Sequence, residues 1–496
     1  NATKSIHEPL PKSGRMKKLL IILIIVTPRF VFSQDCDCES TFNWMKNIIE
    51  NNDAGFSYII ENKGKKAFDA YNEMTLEKVK TISNENLCSE ALGKWLEFFR
   101  TGHLSIKRTN NTNKPQKSNQ DEEVELFKDW ETVEFNIDEF NDYLKSKKNI
   151  DYEGIWKGKS FKIGIRKIKE NYVGFIIESE NSQWTEGQVK LKIDRFDNMT
   201  YYNDDRSISR IYKKAEFIGN DYLQFYSTFL ERENHLSEND PVIEEYIKTI
   251  GTPTPFFKII DDQTNLLRIP TFYGAKTKID IDSVIATNKD LILKTPYLII
   301  DIRNNGGGAD RSYTELKPIL YTNPTRLVWA EYLSTTLNNQ RMLDFISDPS
   351  YGFNDEEKKW AQESYDKLSK RIGEFVNIDS NDVEITTFDT VYNYPKNIGI
   401  IINENVGSSG EQFLLMAKQS KKVKLFGTTT MGVLDISNMY FVKSPCENFE
   451  LGYSLTRSMR IPDMTVDNIG IQPDYYMDKN IPKYEWVDFV IKTLKE

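Results

Sequence analysis

The chain has 496 residues, 39% hydrophobic and 12% aromatic, with 65 Lys and Arg against 74 Asp and Glu. That apolar content can bury sizeable cores and excludes a disordered chain, and at the usual ~100–200 residues per domain the length implies two to four domains. A formal net charge of −9 argues against nucleic acid or an anionic membrane surface as partner.

Met16, Lys17 and Lys18 precede the apolar run Leu19 to Val26, and Val31-Phe32-Ser33 follows as a small-residue cleavage site. Residues 1–33 read as a short extension plus a secretory signal, with the signal at about 16–33. The apolar run falls well short of the ~20 residues that span a bilayer, so no membrane span is expected in the mature chain. The expected location is secreted or periplasmic. Six basic residues and one acidic residue leave with that segment, and the remainder stands at −14. Four cysteines remain, Cys36, Cys38, Cys88 and Cys446. In an exported chain, Cys36 or Cys38 paired with Cys88 would tie the new N-terminus to a helical region. With no second Cys pair at metal spacing and almost no histidine, no metal and no cofactor are expected.

Residues 34–107 read as a helical region. Phe42, Trp44, Met45, Ile48 and Ile49 keep helical spacing, as do Leu92, Trp95, Leu96 and Phe99. Gly102 is a plausible C-cap, and LSIK from Leu104 looks like a strand. Residues 108–149 form a polar linker with a short helix. Over 150–235, Phe161, Ile163 and Ile165 alternate with polar neighbours, and so do Val189, Leu191 and Ile193. This is the pattern of an antiparallel sheet or small barrel, with Trp156 and Trp184 in its core.

Residues 236–496 read as α/β. Tyr297 to Ile302 and Asn397 to Ile402 are near-continuous apolar strands, the type buried on both faces. A helical insertion is expected at about 330–385, with Trp360, Tyr365, Leu368 and Ile372 on one stripe of a helix over 353–376.

The first of these strands ends in Asn304-Asn305-Gly306-Gly307-Gly308, where glycine permits positive φ and close backbone approach. The second breaks at Gly407 and restarts as a helix, placing Ser408 and Ser409 on a sharp strand-to-helix turn beside free N–H groups. Ser408-x-x-Glu411 is also a capping box, so a cap and a nucleophile are both open readings. A serine nucleophile needs a base, and only His7, His103 and His235 exist. His7 falls in the extension and His235 in a polar stretch. Asp463, Asp467 and Asp474 are carboxylates that could orient an imidazole, with turn chemistry as the alternative for each.

Taken in order, IIDIRNNGGG, NENVGSSGEQF, FGTTTMG and NIGIQPD resemble the tail-specific or C-terminal processing serine protease family, over about Phe256 to Asp474. The resemblance implies a crotonase-like ββα catalytic core, here with an N-terminal helical region and a β-rich middle domain. It implies a serine-type peptidase acting on peptide or protein substrates. Ser408 falls at the nucleophile position, with oxyanion donors at Gly307 and Ser409. The better-known branch carries a lysine in T-x-G-K. Here Val433 ends Thr430-Met431-Gly432-Val433, and Lys418, Lys421, Lys422 and Lys424 look solvated. The chain is closer to the tricorn-like Ser-His branch: FFRTGHLSI supplies His103 as base, and DNIGIQPD supplies Asp467 to hold the imidazole. A serine beside the histidine in that branch is Gly102 here, and no peptide-binding PDZ segment is recognisable. The expected activity is an exported peptidase working through a Ser408-His103-Asp467 triad. The alternative is an inactive peptidase-like binding or scaffold protein of the envelope.

Overall fold

The computed structural model describes residues 36–109, 127, 129–181, 183–209, 214–238, 240–379 and 381–496. The signal-peptide reading and residues 110–126 and 128 of the polar linker lie outside the described residues, while its short helix is Ile137–Ser146. Residues 36–496 form one compact unit.

Two sheets carry the site. Their strands in chain order are β1 (Ser105–Arg108), β2 (Phe256–Ile259), β3 (Thr264–Arg268), β4 (Tyr297–Asp301), β5 (Ala330–Leu333), β6 (Phe375–Val376), β7 (Asn397–Ile402), β8 (Val423–Gly427), β9 (Ile436–Lys443), β10 (Phe449–Ser458) and β11 (Tyr475–Tyr476). The helices around them are α1 (Cys38–Asn52), α2 (Phe56–Lys63), α3 (Lys65–Val79), α4 (Glu85–Leu96), α5 (Ala275–Ile292), α6 (Ser409–Ala417) and α7 (Trp486–Lys495).

The central sheet runs β2-β3-β4-β7-β8-β11, parallel from β3 onward. Its register sets Leu267 opposite Ile300, Ile300 opposite Ile400, and Ile400 opposite Leu425. Because side chains alternate across a strand, Leu298, Ile300 and Ile302 pack with Phe413 and Leu414 on the α5/α6 side. Ile299, Ile401 and Phe426 meet Trp486, Val490 and Leu494 of α7 on the other. Both faces being covered explains the continuous apolar runs, each large aliphatic side chain contributing about 1.5–3 kcal/mol by burial. The parallel strands all end at the same edge, where the two glycine-containing turns meet.

The second sheet runs β1-β10-β5-β6, with β9 also paired to β10. Phe42, Met45, Trp95 and Phe99 of the N-terminal helical region pack on its Phe449, Leu451, Tyr453 and Leu455. β1 pairs antiparallel with β10, Ser105 opposite Gly452 and Arg108 opposite Phe449. Disulfides join Cys38 to Cys88 and Cys36 to Cys446, so the first cysteine reaches the β9–β10 hairpin.

A third, antiparallel sheet of nine strands lies between Gly154 and Arg232. Trp156, Ile163, Ile165, Trp184 and Leu191 are in its core. The insertion helix spans Asp355–Leu368 and stops short of the expected 376. The chain turns through Gly373, at φ +87°, so that Phe375–Val376 can join β5. Ile372 is therefore exposed, off the expected stripe.

Candidate active site

Ser408 sits between β7 and α6 at φ 54° and ψ −124°, a strained conformation for a residue with a side chain. Its turn is held from three sides. Gly407 N–H donates to Asn305 O at 3.1 Å, Ser408 N–H to Val433 O at 3.1 Å, and Ser408 N–H also approaches Glu411 Oε2 at 3.3 Å. The buried Glu411 carboxylate further accepts from Thr430 Oγ1 (2.5 Å), Gly432 N–H (2.7 Å) and Val433 N–H (2.9 Å). Burial pushes its pKa up, against those hydrogen bonds.

His103 lies on the turn between α4 and β1, also at positive φ (54°). Its carbonyl accepts from Arg100 Nη2 and from Ser454 Oγ, both at 3.1 Å. Arg100 is in turn fixed by a buried ion pair with Asp53 at 2.6 Å. The ring makes two contacts. Nε2 is 3.1 Å from Ser408 Oγ, across 305 positions of sequence, and Nδ1 is 2.7 Å from Ile436 O. A carbonyl only accepts, so Nδ1 carries the proton and Nε2 is the lone-pair nitrogen facing the hydroxyl. Burial, helped by the Arg100 charge, pushes the imidazole down to about 4, which keeps it neutral at ordinary pH. Ser408 Oγ–H donating to a neutral imidazole is an arrangement able to transfer a proton as the hydroxyl attacks.

Asp467 is placed differently from the sequence expectation. Its carboxylate accepts from the N–H groups of Leu434 (2.5 Å), Asp435 (2.6 Å) and Ile436 (3.2 Å), and the imidazole partner is the Ile436 carbonyl. Asp435 reciprocates. It accepts from Asp467 N–H at 2.8 Å and from Val466 N–H, and pairs with Arg460 at 3.1 Å. Two carboxylates thus clasp each other's backbone, and Asp467 holds the peptide just before the one whose carbonyl meets His103. Asp435 and Arg460 were not foreseen. A charged residue inside the apolar Val433–Ile436 stretch was the only signal. Of the other acids considered, Asp463 is exposed, and Asp474 accepts from Leu425 N–H at 2.7 Å, away from the ring.

The oxyanion assignments also divide. Ser409 N–H stands at the first position of α6, where no preceding turn supplies an acceptor. Gly307 N–H instead donates to Asn305 Oδ1 at 3.0 Å. Phe272 is bridged to Gly308 through Gly307 O and Ala309 N–H, which turns the Gly308 N–H and C=O to the opposite side. Ser409 Oγ reaches Gly308 O at 3.1 Å, so Gly308 N–H faces the serine turn. Gly307 matters for space: a Cβ there would lie 2.7 Å from Ser408 Cβ and 2.9 Å from Ser409 N.

The other histidine and lysine considered as bases are elsewhere. His235 pairs with Glu231 at 2.8 Å on the nine-stranded sheet. Lys422, expected to be solvated, has its amine buried with no partner among the described residues, and burial pushes it down to about 8. It sits where β8 begins, at the opposite end of the strand from Ser408. A cavity of about 400 Å³ opens beside the turn, lined by Thr101, Tyr226, Asn304, Glu404, Met431 and Lys483.

Comparison with known proteins agrees with this fold. Residues 263–477 match the sequence profile of peptidase family S41. No curated protein matches the sequence. Among solved structures, mature CPAF in complex with lactacystin superposes with a TM-score of 0.50 at 12% identity, covering 92% of this chain and 97% of that one. A second structure of mature CPAF gives the same score, identity and share of this chain, with 96% of its own length covered. The photosystem II D1 C-terminal processing protease aligns over 92% of this chain and 97% of its own at 12% identity, with a TM-score of 0.39. The α/β core with its serine turn, residues 263–477, matches peptidase family S41, and the chain thus carries a serine-type peptidase domain.

Proposed function

We propose that the protein is an exported peptidase of the Ser-His type, cleaving peptide bonds through an acyl-enzyme on Ser408. The observation that carries this reading is the 3.1 Å contact between Ser408 Oγ and His103 Nε2, with Nδ1 anchored on Ile436 O. His103 takes the hydroxyl proton as Oγ attacks the substrate carbonyl, then returns it to the leaving amine. The N–H groups of Ser409 and Gly308 receive the developing oxyanion. Asp467 acts one step removed, by orienting the Ile436 peptide. Val433 at the lysine position removes the Ser-Lys alternative. Two disulfides and the apolar run at residues 19–26 support a secreted or periplasmic location.

The test is labelling of the purified mature chain with a fluorophosphonate. Ser408→Ala abolishes labelling and His103→Ala slows it by about 10³-fold or more, since nucleophile and base act as a unit. Labelling that survives in Ser408→Ala overturns the assignment.

A further inference from the structure

Val433 stands between the two halves of the catalytic pair. Its carbonyl accepts the Ser408 N–H at 3.1 Å, and its N–H is held by Glu411 at 2.9 Å. The buried isopropyl group lies against two glycines. A Cβ built on Gly102 would be 2.4 Å from Val433 Cγ1 and 2.7 Å from its Cβ, and one on Gly407 would be 2.8 Å from Cγ2. Gly102 immediately precedes His103, and Gly407 immediately precedes Ser408. One side chain therefore fills both hollows beside the two reacting residues.

Neither glycine is in the left-handed region, so the backbone does not demand glycine at either place. At 102 the three atoms nearest to such a Cβ all belong to Val433. A valine is stiff about χ1 and cannot swing aside without cost. The residues that do carry strain are the next ones along, His103 and Ser408, both at φ 54°. Strained positions of this kind persist only where their surroundings over-determine them.

We propose that Val433 is a positioning residue, a wedge that fixes the spacing of His103 and Ser408, with Gly102 as its socket. The inference rests on the reading of Ser408 and His103 as the reacting pair. It accounts for the two departures from the family pattern as one event: the valine at 433 leaves no room for a side chain at 102.

The experiment measures the rate of fluorophosphonate labelling against pH for the full mature chain and for Gly102→Ala, Val433→Ala, Val433→Gly and the Gly102→Ala/Val433→Gly double variant. Melting curves and near-ultraviolet circular dichroism monitor the fold. Gly102→Ala slows labelling by ~10-fold or more, and adding Val433→Gly, which also removes the Cβ that would lie 2.7 Å away, brings the rate back to that of Val433→Gly alone, the non-additivity expected of residues in contact. Val433→Ala alone slows labelling and moves the acid limb of the pH profile upward, because water admitted beside the ring relieves its desolvation. A purely structural role would not move that limb. The proposal is overturned if Gly102→Ala labels at the wild-type rate, or if the two effects simply add in folded protein. Should Gly102→Ala fail to fold, Val433→Ala with an unchanged rate and acid limb overturns it equally. Failure of the pair itself is separate, and shows as labelling that survives Ser408→Ala.

Discussion

His103 Nδ1 lies 2.7 Å from the carbonyl oxygen of Ile436, and the Ile436 N–H lies 3.2 Å from Asp467 Oδ2. The imidazole is thus oriented by a peptide group, and the carboxylate grips the other end of the neighbouring backbone. A carbonyl cannot be ionised or protonated near neutral pH, so the tautomer is held without a charge beside the ring.

Loss of the carboxylate is therefore milder than loss of a direct triad aspartate, where ~10⁴-fold in kcat is typical. Asp467→Ala is expected to lower kcat by ~10–100-fold and to lower stability, since buried N–H groups left unpaired cost about 1–3 kcal/mol each. Steady-state kinetics on an unstructured fluorogenic peptide, with urea denaturation alongside, checks both. A 10⁴-fold loss with unchanged stability would return Asp467 to direct contact with the ring.

The acid side of the pH profile follows from the imidazole pushed down to about 4. The base must be neutral, and it stays so until pH falls through its folded value. The acid limb of kcat/KM is expected near pH 4, well below the ordinary histidine value of about 6.5. For stability the sign is the same. The unfolded chain binds this proton first, so the contribution of neutral His103 is whole above about pH 6.5 and is lost as pH falls toward 4. A limb at 6.5 would show the ring to be solvated.

Glu411 gathers Thr430, Gly432, Val433 and Ser408 around one carboxyl group. Glu411→Ala strands these donors together, and a melting temperature lower by roughly 5 °C is expected from several unsatisfied groups in a chain of this size. Labelling of Ser408 falls with it, because the same donors shape the turn. Calorimetry and labelling on one preparation decide whether the two losses coincide.

The two disulfides close very different loops, with sequence separations of 410 for Cys36–Cys446 and 50 for Cys38–Cys88. Replacing the first pair by serine should destabilise more than replacing the second, by about 1–2 kcal/mol of loop-closure entropy. Equal shifts in urea midpoint would mean that the denatured chain is already compact around the N-terminus.

His235 serves as the control. Paired to Glu231 on the nine-stranded sheet, it lies outside the reacting geometry. His235→Ala should label within twofold of wild type, and a larger loss would place a second base in play.

The strands at 297–302 and 397–402 were legible because both faces are apolar, and the turn at Ser408 because Gly407 and Glu411 flank it. The partner histidine was legible mainly because histidine is scarce. The Ile436 contact was not, since every residue carries a carbonyl and only the fold selects one. Asp435 and Asp467 look alike in sequence, and the register of two loops decides which backbone each carboxylate meets. Cys446 was equally hidden, because four cysteines allow three pairings. Glycine at 102 read as a helix cap, whereas α4 ends at Leu96 and the glycine makes room for Val433.

β1 sits at the edge of its sheet with β10 as its partner, and Ile436 opens β9. Both β10 and the oxygen that meets the ring lie more than 300 positions after His103 in the chain. The hairpin that holds the histidine thus follows even the serine turn in the chain, so a truncation before β9 keeps Ser408 and loses the carbonyl that aims the ring.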